Sequence, residues 1–135
     1  MVVEGYSETY SDTGPAAGVM TGAELRCLRE WLGLTTRWLA QHLGVAERSV
    51  HRWEAEVQPV PEGVADEVLR LSEVTYDALN GLVEKLLDLP DPGVVTYRSD
   101  DDYRAHHPEQ DWPASWHRAL CARLADDVPG LRITY

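Results

Sequence analysis

At 135 residues, 44% hydrophobic and 26% charged, the chain is long enough for one modest core and reads as a soluble globular protein. No apolar run approaches the roughly 20 residues of a membrane span, and the N-terminus lacks the basic-then-apolar layout of a signal peptide, so a cytoplasmic protein is expected. The net charge of −11 argues against broad attraction to nucleic acid, yet residues 20–60 hold five arginines and five glutamates while residues 61–135 hold 15 acids against seven bases.

Residues 1–19 are rich in Gly, Ser, Thr and acids and lack an apolar period, which predicts a disordered N-terminal extension. Met20 opens the first regular pattern and is an alternative start of the chain. The first helix is expected from about Thr21 to Leu32, opened by the T-x-x-E spacing of Thr21 and Glu24 and closed by Gly33. Leu25, Leu28 and Leu32 share one face of it. Thr35 is a good N-cap for a short second helix over about Thr36 to His42, with Leu39, Ala40 and Leu43 inward. Gly44 suits a tight turn, and a third helix over about Ala46 to Ala55 puts Val50 and Trp53 inward.

Pro59 and Pro61 then break the chain. Val64, Val68, Leu71, Ala78, Leu82 and Leu86 predict one long helix to about Asp88, with a break near Ser72 as the alternative. PDPG at 90–93 reads as a turn and VVTYR at 94–98 as a strand. Ser99 followed by Asp100, Asp101 and Asp102 opens a short helix ending by Pro108, and Pro113 starts another that runs to about Asp126. LRITY at 131–135 reads as a last strand, pairing with the first one within or between chains. Cys27 and Cys121 lack metal or redox spacing and are expected as buried or half-buried thiols. His106 and His107, adjacent on a helix, point about 100° apart and make a poor metal site. No GxSxG, HExxH, P-loop or paired catalytic acids occur, so neither an enzyme, a cofactor nor a metal is expected.

Two short helices joined at Gly44 form a helix-turn-helix, in which the second helix lies in the major groove. Its outer face would carry Glu47, Arg48, His51 and Arg52. The stretch GLTTRWLAQHLGVAERSVHRWE, residues 33–54, resembles the Xre/Cro-type helix-turn-helix, matching at Gly33, Leu34, Thr35, Leu39, Ala40, Leu43, Gly44, Val45, Ser49, Val50, Trp53 and Glu54. It departs at three places: Thr36 replaces the usual Gln, Ala46 the usual Ser cap, and Ala55-Glu56 the usual Asn-Gly. The resemblance implies a lambda-repressor-like bundle and a structural ion pair between Arg29 and Glu54. It also implies double-stranded DNA as partner. Glu47, Arg48, His51 and Arg52 are then candidates for base contacts, with Arg bidentate to guanine, and Thr35, Thr36, Arg37 and Ser49 are candidates for phosphate contacts.

Residues 20–135 are also similar to YdiL-type regulators and anti-CRISPR-associated autoregulators, on ValProGlu at 60–62, the long helix, TyrArg at 97–98 and Trp116. The expected architecture is mainly α. It comprises a helix-turn-helix core (20–60), a long connecting helix (61–89) and a small α+β dimerisation segment (90–135). This second resemblance implies a homodimeric repressor on an inverted repeat, with Val95, Tyr97, Trp112, Trp116, Leu120 and Ile133 as interface candidates. The competing reading is an Xre-type antitoxin or adaptor whose acidic C-terminal half grips a protein partner. RNA binding by the helix-turn-helix face is a third.

Overall fold

The computed structural model describes residues 19–135; the predicted disordered extension lies almost wholly outside the described residues. Six helices and two short strands follow in the order α1 (Gly22–Trp31), α2 (Thr36–Leu43), α3 (Glu47–Glu54), α4 (Glu62–Leu87), β1 (Gly93–Val95), α5 (Asp100–His106), α6 (Ala114–Asp127) and β2 (Arg132–Thr134).

Local chemistry accounts for most of the boundaries. Thr21 and Glu24 form a complete capping box at α1: the Glu24 amide donates to Thr21 Oγ1 at 3.0 Å and the Thr21 amide to Glu24 Oε1 at 3.3 Å. Gly33, at φ +69°, turns the chain out of α1. Gly22 has a different reason: a Cβ there would collide with the Trp53 carbonyl oxygen, so only glycine lets α1 lie against the end of α3. Glu56, at φ +61°, is the one non-glycine in the left-handed region among the described residues, at the place where the resembled pattern carries glycine.

The long helix α4 is unbroken at Ser72. That hydroxyl donates to the Val68 carbonyl at 3.1 Å, and Thr75 Oγ1 donates to the Leu71 carbonyl at 2.8 Å, so both buried polar groups are satisfied inside the helix. Thr75 Oγ1 also accepts the Trp116 indole N–H at 3.0 Å, which pins α6 to α4 through the core. At α6, Pro113 stands just before the first helical residue rather than as that residue, and Asp100 of α5 supplies the missing cap by accepting the Ala114 amide at 2.8 Å.

The two strands pair within the chain and in parallel, Val94 opposite Ile133. The first strand is shorter than expected. Beyond Val95 the chain turns inward, where Thr96 is buried and Tyr97 enters a cluster of rings with Tyr103, His106, His107 and His117 at 5.3–5.6 Å.

One core runs through all of this. Leu25, Leu39, Val50 and Trp53 from the first three helices join Val68, Leu71 and Leu79 of α4 and Trp116, Leu120 and Leu124 of α6. Trp116 and Leu120, interface candidates on the sequence, are core residues of the single chain. They are only 5% and 2% exposed in the single chain, because α6 is needed to cover α4, and are not available to a partner. Trp112 is half-buried and stacked on Trp116 at 4.4 Å, and Tyr97 is half-buried in the ring cluster. Val95 and Ile133 remain exposed. Cys121 is buried, but Cys27 is exposed, contrary to expectation, because it falls on the outer face of α1. Among the described residues, no helix is long and apolar enough to cross a membrane.

Candidate nucleic-acid interface

Thr35 opens α2 by accepting the Trp38 amide at 3.0 Å. Gly44, at φ +70°, ends it with nothing within 4 Å of where its Cβ would be, so the requirement there is purely for the left-handed turn. The Val45 amide closes the turn on the Ala40 carbonyl at 2.9 Å. With Val50 at 0% and Trp53 at 7% exposure anchoring α3 inward, its opposite face is fixed. Glu47, Arg48, His51 and Arg52 are exposed on that face, and Ser49 is half-buried beside it. Ala46 gives α3 no side-chain cap, and the hydrogen bond a serine would make there is missing.

The orientation of α3 against α1 is held by a bidentate ion pair. Arg29 Nε and Nη2 donate to the two Glu54 oxygens at 2.6 and 2.8 Å, and Nη1 donates to the Leu34 carbonyl at 2.9 Å. The Glu54 carboxylate, through these hydrogen bonds, raises the Arg29 pKa despite burial.

The residues expected to touch DNA do not all stand free. Thr36 Oγ1 donates to Glu47 Oε1 at 3.0 Å, and His51 Nε2 lies 3.4 Å from the same oxygen. Glu47 therefore ties the start of α2 to α3, a role that sequence reasoning missed. The signal lay in Thr36, whose short side chain can meet Glu47 across the turn. The arginines divide more cleanly. Arg26 and Arg29 of α1 pair with Glu30 and Glu54. Arg37 at the start of α2 and Arg48 and Arg52 on α3 are exposed and have no carboxylate partner among the described residues. Among the described residues, a protein acidic overall thus leaves three guanidinium groups on α2 and α3 without a carboxylate.

Behind this face, His42 Nε2 meets Glu67 Oε2 at 2.5 Å, and Arg70 donates to Glu67 at 2.7 and 2.9 Å. The Arg70 hydrogen bonds, aided by His42, hold the Glu67 carboxyl down at about 2 against the opposing effect of burial. In the C-terminal part, Thr96 Oγ1 lies 2.8 Å from His117 Nδ1, and burial pushes this imidazole below its usual value. Stability contributed by neutral His117 is complete above about pH 6.5 and falls as pH drops below it, since the unfolded chain binds a proton that the fold disfavours. Glu67 adds a separate loss in the acid range, from its ordinary 4.5 down towards about 2. The expected result is a urea midpoint that declines from pH 7 to pH 5 in the wild type and declines less in His117→Gln. An identical decline in both would remove His117 as the cause.

Residues 21–80 match the family model described as a helix-turn-helix domain. No curated protein matches the sequence at a significant level. The matched span covers α1 to α3 and most of α4, the segment that bears Arg37, Arg48 and Arg52.

Proposed function

We propose that the protein is a sequence-specific transcriptional regulator of Xre type, acting as a homodimeric repressor on an inverted repeat. The observation that carries this reading is the outer face of α3, where Arg48 and Arg52 are exposed without a carboxylate partner among the described residues. In a helix-turn-helix this face meets base edges, and guanidinium groups pair bidentately with guanine. Arg37 and the hydroxyl of Thr35 at the start of α2 suit backbone phosphates, with half-buried Ser49 nearby on α3. Glu47, Thr36 and His51 act together, setting the position of α3 before any base is met. A homodimer would use the C-terminal sheet. Two three-residue strands are marginal alone, and Val95, Ile133 and Tyr135 are exposed on and beside them.

Selection from a random duplex pool tests this. The wild type is expected to enrich an inverted repeat. Arg48→Ala or Arg52→Ala is expected to cost about 1–3 kcal/mol at one base pair of each half-site and to relax the preference there. A pool without an enriched motif, or variants with unchanged motifs, would count against the assignment.

A second reading, an antitoxin or adaptor gripping a basic protein, is favoured by α4. Leu69, Val74 and Tyr76 are exposed there among Asp66, Glu73 and Asp77. The two readings are compatible on one chain, since they use opposite ends of the charge distribution.

A further inference from the structure

A groove of about 380 Å³ lies between α2, α4 and the connection into α6. Its wall includes His42, Trp38 and Trp112, which belong to a stack of flat rings that continues inward to buried Trp116: His42 on Trp38 at 4.9 Å, Trp38 on Trp112 at 5.7 Å and Trp112 on Trp116 at 4.4 Å, all within 10° of parallel. His42, Trp38 and Trp112 of this stack line the groove. The rings are held before any ligand arrives, Trp116 by its bond to Thr75 and His42 by Glu67. Two charged groups of opposite sign stand on the same groove. Among the described residues, Arg70 spends Nε and Nη2 on Glu67 and leaves Nη1 free, and Asp111 has no partner.

We propose that this groove binds a small zwitterion carrying a planar ring, of the free aromatic amino acid class. The ring lies against the edges of Trp38 and Trp112 and the side chains of Leu71 and Val74, the carboxylate takes Arg70 Nη1, and the ammonium takes Asp111. The volume is at the small end for ligand pockets, which suits one such molecule and excludes a dinucleotide. Fixed rings and a fixed guanidinium reduce the ordering cost of binding. Because Trp38 and His42 belong to α2, an occupant touches the helix-turn-helix directly and can act as an effector. That regulatory consequence rests on the proposed DNA-binding function, whereas the binding itself does not.

Calorimetry on the full chain tests it with phenylalanine, tyrosine and tryptophan, then with phenethylamine and 3-phenylpropanoate, which keep the ring and lose one charge each. At least one amino acid is expected to saturate at one per chain, and each single-charge analogue to bind about tenfold more weakly or worse. Asp111→Asn, at an exposed position, is expected to weaken the amino acid and phenethylamine and to leave phenylpropanoate unchanged. Arg48→Ala is expected to bind the amino acid like the wild type, which separates a failure at DNA from a failure in the groove. No saturable heat with any of the three amino acids, or equal affinity for charged and charge-deleted ligands, overturns the proposal.

Discussion

Arg29→Ala is expected to lower folding stability by about 3–5 kcal/mol, the usual consequence of stranding a buried charge. The Arg29 and Glu54 side chains are only 12% and 9% exposed. Removing the guanidinium leaves the Glu54 carboxylate without either of its hydrogen bonds and the Leu34 carbonyl without its donor. The pair joins α1 to the last turn of α3, so the loss is expected to loosen α3 as well as to destabilise the fold. Urea unfolding followed by tryptophan fluorescence measures it. The double variant Arg29→Ala, Glu54→Ala should cost clearly less than the two single variants together, because it leaves no unpaired charge. A single-variant cost below about 1 kcal/mol, the range of surface pairs, would mean that the pair is not buried in solution.

Gly33→Ala is expected to cost about 2–4 kcal/mol, from two sources. At φ +69° a Cβ is strained by about 1 kcal/mol. The added carbon would also stand 2.5 Å from the Ser115 carbonyl oxygen and 2.9 Å from Ala119 Cβ, where overpacking costs about 1–3 kcal/mol. Gly44→Ala separates the two. Its φ is +70° and its surroundings are empty, so it should show the backbone cost alone. The difference between the variants measures how firmly α6 docks on the turn between α1 and α2. Equal costs would show that α6 does not rest there.

That docking explains what was hard to read in the sequence. The capping box of α1, the Gly44 turn and the inward placing of Val50 and Trp53 are local, and the residues within a few positions specify them. The contact of Arg123 with α1 is not: its guanidinium donates to the Trp31 carbonyl and lies 3.9 Å over the Trp31 ring, 92 positions away in sequence. An amphipathic helix rich in Trp and Leu looks the same whether it faces its own chain or a second copy. Only the exposed stripe of α4 awaiting a cover decides between them, which is why spacing alone suggests an interface for Trp116 and Leu120 while the fold buries them in the core. The parallel register of β1 and β2 was equally silent, since three-residue strands carry too little pattern to favour a partner or a direction. At the candidate interface, helical spacing placed Arg48 and Arg52 outward. The bond from Thr36 to Glu47 depends on how two helices cross, and spacing within one of them does not report it.

The resulting picture is of an acidic protein whose guanidinium groups, among the described residues, are paired with carboxylates in α1 and unpaired on α2 and α3. The most direct test is fluorescence anisotropy of the purified protein with the duplex upstream of its own gene, near physiological salt, in the presence of scrambled competitor. Binding that survives the competitor in the wild type and weakens with Arg48→Ala and Arg52→Ala is the predicted result. Affinity no better than for the scrambled duplex would contradict the account and direct attention to a protein partner of the acidic α4 face.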